Sequence, residues 1–345
     1  MVIVTGGGTG GHFYPGLAAA RALIELGQPV TYVGARGGIE ERALPDSGLP
    51  HRIIPAGKFS REALRPGEGL KLVSGLWHGW KAVRELQPRA ILSMGGYAGF
   101  PAAFMGALAG VPTVVHEQNA KLGIASKVLA RQARKVLLST PIDTGALMAK
   151  TQVVGYPVRE QRADKAGAKQ QLGLDPARPA VFVMGGSQGS KELNDRLPER
   201  LYPLLEQGWQ VLHQCGRRWE GELQPKARPH YQIRGYVDTV LAWSAAEFAI
   251  TRGGAGTLAE AAYHSVPVLG VPLSADLDSG AQRANVGFYA AAGAARMLGD
   301  WSRFHDELNA LLDPSTRAVM RDRLAGLSPA GAARRLAQVV LEVMT

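Results

Sequence analysis

Residues 5–17 read TGGGTGGHFYPGL, placing five glycines, Thr9 and His12 between the apolar run 1–4 (MVIV) and an alanine-rich stretch. Strand, glycine loop and helix in that order make a backbone anion site, with loop N–H groups and the positive helix end facing a phosphate. The helix is expected from about Pro15, through GLAAARALIEL. Gly6, Gly8 and Gly11 fit G-x-G-x-x-G, a pattern that is weak alone. A dinucleotide fold also needs an acid ending the second strand to hold a ribose. That place reads TYVGARGG, and Glu25 lies inside the preceding helix. No GK[ST] is present, which excludes a P-loop nucleotidase. Further glycine loops are SMGGYAGFP (93–101), VMGGSQGSKELND (183–195) and TRGGAGTLAEAAYHSVPVLGVPL (251–273). In the last, Ala255, Gly256 and Thr257 open a helix and offer N–H groups to a diphosphate. Glu260, one turn on, cannot bind phosphate but accepts both hydroxyls of a ribose. Its other reading is complementation of the helix dipole. Together these segments point to a nucleoside diphosphate held mainly by the second half.

The elements that must position these loops alternate between strand and helix. Strands are expected near 2–4, 29–33, 90–93, 113–115 and 135–138, then near 180–184, 210–213, 231–233, 247–250 and 266–271, with a helix from about Lys191. Alternation of this kind means parallel sheets with helices on both faces. The expected fold is α/β, two Rossmann-like domains with a cleft between them as the default site. The boundaries are placed at 1–157 for the N-terminal domain and 158–329 for the C-terminal domain. A last helix, 330–345, is expected to return to the first domain.

Composition narrows the classes. The single cysteine, Cys215, permits no internal disulfide and fits a reducing compartment. The N-terminus enters a strand without a basic and apolar leader, so no export is expected. Residues 97–115 carry no charge, but Pro101, Pro112 and interrupting glycines favour a buried helix followed by a strand over a membrane span. Net charge is +10, of which residues 1–157 carry +8. A basic first half implies an anionic partner. Zinc-type Cys/His spacing and RNP-like aromatic motifs are missing, so nucleic acid is not expected. His213, His230 and His264 have no useful metal spacing, and no metal or other cofactor is needed.

GGTGGHFYPGL, GGYAGFP, HEQNAKLGIASKVLA, GYPVR, GGSQGS, GTLAEAA and QRAN follow one another in a single order. By these motifs, over nearly its whole length, the chain resembles the MurG family of UDP-N-acetylglucosamine transferases. The resemblance implies the glycosyltransferase-B fold, with a lipid acceptor on the first domain and a UDP-sugar on the second. It implies a loop of Thr9, Gly10 and Gly11 reaching the donor across the cleft. Asn119 of HEQN and Gln282 of QRAN resemble the side chains on the sugar hydroxyls. Arg159 and Ser187 resemble donor contacts, although Arg159 also reads as a surface charge, Asn119 as a turn residue and Ser187 as a helix N-cap. Val237 of GYVD occupies the position that reads uracil through its backbone. Ala255, Gly256, Thr257, Leu258, Ala259 and Glu260 match the diphosphate and ribose segment. The family often has serine where this chain has Gly253.

The implied reaction is inverting transfer of N-acetylglucosamine from UDP-N-acetylglucosamine to the C4 hydroxyl of the N-acetylmuramyl unit of lipid I (undecaprenyl-pyrophosphoryl-MurNAc-pentapeptide), giving lipid II for peptidoglycan. A base must take the hydroxyl proton, and positive potential must meet charge growing on the diphosphate. His12 is the candidate base, since a ring at the positive end of a helix is favoured in the neutral form a base requires. The helix start near Thr257 and Arg159 suit the second task. Alternatives are a related transferase with another lipid acceptor, a non-hydrolysing UDP-sugar epimerase and an inactive UDP-sugar-binding module.

Lipid I lies in a bilayer, so a docking surface is needed. Leu70, Val73, Leu76, Trp77 and Trp80 recur at helical spacing as one apolar stripe, whose other reading is core. Around it lie Lys58, Arg61, Arg65, Lys71, Lys81, Arg84 and Arg89, against Glu62, Glu68 and Glu85. This is the composition of an interfacial anchor for an anionic membrane surface. It implies a peripheral protein on the cytoplasmic side of the cell membrane.

Overall fold

The computed structural model describes residues 1–57 and 66–344. They form two compact units, Met1–Val158 with Gly331–Thr345, and Arg159–Ala330. The first contains β1 (Val2–Thr5), β2 (Val30–Ala35), β3 (His51–Ile54), β4 (Ala90–Ser93), β5 (Thr113–Glu117), β6 (Lys135–Leu138) and β7 (Thr151–Val153). These pair in parallel in the order β3-β2-β1-β4-β5-β6-β7. The second contains β8 (Ala180–Met184), β9 (Gln210–Gln214), β10 (Tyr231–Arg234), β11 (Phe248–Thr251), β12 (Val268–Gly270) and β13 (Ala295–Met297). They too are parallel, in the order β10-β9-β8-β11-β12-β13. Central strands such as β1, β4 and β8 are buried throughout, which is why they read as unbroken apolar runs. The strands absent from the sequence reading, β3, β7 and β13, are three of the four outer ones, the fourth, β10, matching the strand expected near 231–233. Those three are short and partly exposed, so they lack that signature.

The first helix starts earlier than its composition suggests, spanning Gly10–Glu25 with Thr9 as its extended N-cap. Pro15 therefore sits inside it. Lacking an N–H, Pro15 cannot bond the Gly11 carbonyl four residues back. Tyr156 supplies the missing donor, its hydroxyl lying 2.9 Å from Gly11 O. Residues 97–115 divide into a helix, Gly96–Leu108, and β5. No described helix is long and apolar enough to cross a membrane.

Helix Pro66–Leu86 packs on Gly96–Leu108, and a Cβ at Gly79 would stand 2.8 Å from the Pro101 carbonyl, so glycine permits the close approach. Leu72, Leu76 and Leu86 face this core. The chain's end returns to the first unit. Helix Ala332–Glu342 buries Leu336, Ala337 and Val340 beside Val2 and Leu23, and Arg335 Nε donates to Val154 O at 3.0 Å.

Two buried histidines, His116 and His213, and the half-buried His264 favour the neutral form. His213 lies between the Tyr231 hydroxyl (3.0 Å) and Asn194 Oδ1 (3.1 Å), and burial lowers its pKa to about 3. Burial lowers His116 and His264 to about 4. A histidine whose folded pKa is depressed contributes stability that is intact above its unfolded value near 6.5 and lost as pH falls through the folded value. Denaturant titrations should therefore show stability declining from pH 7 to pH 4.5, and a flat profile would contradict this burial.

Candidate active site

In both units the glycine loops leave the carboxyl ends of parallel strands. The loop after β1 differs from the expected phosphate cradle. Glu40, fully buried in the short helix Ile39–Ala43, points into it. Its two oxygens accept from Gly8 N at 3.0 and 2.8 Å, and Oε1 also accepts from Ala35 N at 3.0 Å. A Cβ at Gly7 or Gly38 would overlap this carboxylate. The glycines make room for an internal anion, and Gly8 N–H is already committed to it. This corrects the expectation that the loop faces a phosphate. Thr9, Gly10 and Gly11 follow on the partly open side, at the helix start.

His12 occupies the first turn of that helix. Its Nδ1 lies 2.9 Å from the Met94 carbonyl and 2.9 Å from Gln118 Oε1. Both partners are acceptors, so Nδ1 carries the proton, and in the neutral ring the lone pair is then on Nε2. Asn119, two residues past β5, is held by Glu117, whose Oε1 accepts from Asn119 N and Nδ2, both at 3.0 Å. Glu117 Oε2 accepts from Gly123 N at 3.0 Å. A buried carboxylate thus shapes the whole turn, and Asn119 is an oriented member of it.

In the second unit, the loop after β8 is pinned by close backbone contact, since a Cβ at Gly189 would overlap the Cys215 carbonyl. Ser187 stands exposed in this loop. It is not the helix cap, because Ser190 caps helix Lys191–Glu206, accepting from Leu193 N. Val237 is buried in the core, which pins its backbone. Its neighbour Asp238 caps helix Thr239–Ala245 and pairs with Arg159 at 3.4 Å. Arg159 Nε also donates to Gln161 at 3.0 Å.

Helix Ala255–Tyr263 begins after Gly253 and Gly254. Gly253 has φ +85°, and a Cβ there would overlap Val286, so this chain's departure to glycine fits its local packing. Asn285 Nδ2 donates to Gly253 O at 3.2 Å. Ala255, Gly256 and Thr257 occupy the first turn, where N–H groups have no intrahelical acceptor. Leu258 and Ala259 differ: their side chains are core, and Leu258 N donates to Gly254 O at 3.0 Å. Glu260 Oε2 accepts from the Trp243 indole at 2.9 Å. Burial raises the Glu260 pKa above the usual carboxylate range, opposed by that indole and by Arg159. Gln282 lies in the first turn of helix Ala281–Ala291, with Oε1 accepting from Leu273 N at 3.0 Å.

The fold thus gathers His12 with Gln118 in one unit, and Arg159, Val237 and Glu260 in the other. Gln118, His116, Glu40 and Trp243 were missed in the sequence reading. The first two stand in the HEQN motif itself, but nothing in spacing signals Glu40 or Trp243.

The expected docking stripe is largely at the surface. Leu70, Val73 and Trp77 are 72, 67 and 59 % exposed. Trp80 is half-buried and stacks on Trp77 with ring centroids 4.9 Å apart, and Arg84 lies over the Trp80 ring. Leu76 turns inward to the core and leaves the stripe. Lys71, Lys81, Arg84 and Arg89 are exposed, whereas Lys58, Arg61, Glu62 and Arg65, and the side chain of Glu68, lie outside the described residues.

Two doubly wound parallel units with these loops define a glycosyltransferase of the B fold. The glycosyltransferase family 28 N-terminal domain matches residues 2–138 and its C-terminal domain residues 180–325. The UDP-N-acetylglucosamine–N-acetylmuramyl-(pentapeptide) pyrophosphoryl-undecaprenol N-acetylglucosamine transferase of Thermus thermophilus is 51 % identical over 342 residues, 99 % of each chain. The same enzyme of Deinococcus deserti is 36 % identical, covering 99 % of this chain and 98 % of its own. The crystal structure of Acinetobacter baumannii MurG superposes with a TM-score of 0.76 at 26 % identity, covering 99 % of both chains. The chain belongs to glycosyltransferase family 28 and, within it, to the MurG transferases.

Glu40→Ala should orphan the buried Ala35 N–H and cost about 1–3 kcal/mol of stability. Chemical denaturation measures this, and an unchanged midpoint and slope would remove Glu40 from its structural role.

Proposed function

We propose that this chain transfers N-acetylglucosamine from UDP-N-acetylglucosamine to the C4 hydroxyl of the N-acetylmuramyl unit of lipid I, forming lipid II. The observation that carries this reading is the 51 % identity to a transferase of that name across 99 % of both chains. The second unit holds the donor. Backbone at Val237 reads the uracil, Glu260 accepts the ribose hydroxyls, and Trp243 fixes the rotamer of that carboxylate. The first-turn N–H groups of Ala255, Gly256 and Thr257 meet the diphosphate, with Arg159 countering charge on the leaving UDP. Ser187 contacts the donor, while Gln282 and Asn119 contact the sugar, joined by the loop of Thr9, Gly10 and Gly11. His12 Nε2 takes the proton as the acceptor oxygen attacks the anomeric carbon and UDP departs from the opposite face, giving a β-1,4 link. The test is product analysis after mixing protein, UDP-N-acetylglucosamine and lipid I. Lipid II should form, and His12→Ala should lower kcat by about 10²–10⁴-fold with little change in UDP affinity. Without lipid II the assignment fails, while near-native kcat in the variant removes only the base.

Docking to an anionic membrane surface from the cytoplasmic side completes the reading. Leu70, Val73 and Trp77, with Trp80 beside them, present apolar area, and the surrounding cations attract anionic lipid at about 1 kcal/mol per Lys or Arg near the surface. Trp77→Ser combined with Trp80→Ser should weaken sedimentation with phosphatidylglycerol vesicles and leave UDP affinity intact. Undiminished vesicle binding by the folded variant would rule this surface out.

A further inference from the structure

We infer that Gln118 and His116 are positioning residues that, with the Met94 carbonyl 2.9 Å from Nδ1, hold His12 in the tautomer with its proton on Nδ1, an inference resting on the reading of His12 as base. A neutral histidine side chain left to itself prefers the proton on Nε2, the wrong nitrogen for a base acting there. The chain of partners imposes the opposite state from a fixed backbone group inward. His116 Nε2 lies 3.1 Å from the Gly155 carbonyl, which only accepts, so that nitrogen carries the proton. Its Nδ1 is then bare and accepts from Gln118 Nε2 at 3.2 Å. The same amide nitrogen donates to Met94 O at 2.7 Å. A flipped amide would set its oxygen against that carbonyl oxygen and its nitrogen against His12 Nδ1, so the orientation is forced. Gln118 Oε1 therefore faces His12 and accepts its Nδ1–H. Gly96 leaves room for the ring, since a Cβ there would stand 3.1 Å from His12 Cδ2. Full burial of His116 keeps the relay in one polarity, because a charged ring would present a second donor to the Gln118 amide.

The relay is tested on the full-length protein by long-range ¹H–¹⁵N spectra of the histidine rings, with His12→Ala assigning the His12 signals, and by steady-state kinetics. Wild-type His12 should show a protonated Nδ1 and a bare Nε2. Gln118→Met keeps the volume without the amide, and Gln118→Asn keeps the amide but shortens its reach. Each leaves the Met94 carbonyl to hold Nδ1–H without the Gln118 oxygen, so the Nε2–H fraction of His12 should rise and kcat fall about tenfold, with the donor KM unchanged. A wild-type ring protonated at Nε2 overturns the inference, as does a folded Gln118 variant retaining both tautomer and kcat. If both variants unfold, His116→Phe, which removes the ring nitrogen that accepts from the Gln118 amide and leaves Met94 in place, carries the same test. Native kcat in His12→Ala would end the base reading, whereas the tautomer is read independently of activity.

Discussion

The parallel pairing of β1 with β4 is the constraint on which the first unit's chemistry depends. The ladder continues one residue past β4, where Met94 N donates to Thr5 O, at the end of β1, at 2.7 Å. That bond fixes the Met94 peptide, and its carbonyl then accepts from both His12 Nδ1 and Gln118 Nε2. Three chain segments far apart in sequence thus converge on one backbone oxygen. The second unit repeats the device, with Val271 N, just beyond β12, donating to Thr251 O at the end of β11. Backbone ladders are stiff because each bond supports the next, so loops leaving their ends inherit a defined origin.

Glycine serves two different ends in these loops. After β1 it clears space for the Glu40 carboxylate, which gathers the Gly8 and Ala35 N–H groups. After β8 it permits backbone to touch backbone at Cys215. Before helix Ala255–Tyr263 the loop opens directly onto first-turn N–H groups that have no intrahelical acceptor. A glycine-rich segment is therefore not one kind of site. Its chemistry depends on what the rest of the fold inserts beside it.

Helix Pro66–Leu86 shows how one element divides its apolar residues between two environments. Gly79 lets it approach Pro101, and Leu72, Leu76 and Leu86 enter the core. Leu70, Val73 and Trp77 remain outside. The division follows the direction of close approach, since the side bearing the glycines lies against the neighbouring helix and the opposite side faces water.

Local chemistry by itself determined the parallel α/β architecture, because buried strands require unbroken apolar runs and the intervening helices require their own period. It determined where glycine loops stand and that His12 and Glu260 are chemically apt. Three of the four outer strands escaped it, because β3, β7 and β13 bury too little to carry a pattern. The start of the first helix escaped it as well. Pro15 reads as a boundary until Tyr156, far along the chain, supplies the donor that Gly11 lacks. Only tertiary structure decided that Glu40 fills the first loop, that Trp243 holds Glu260 and that Gln118 turns His12. Each is a hydrogen bond between segments whose separation along the chain leaves no periodic trace, and it exists only once the sheets bring their carboxyl ends together.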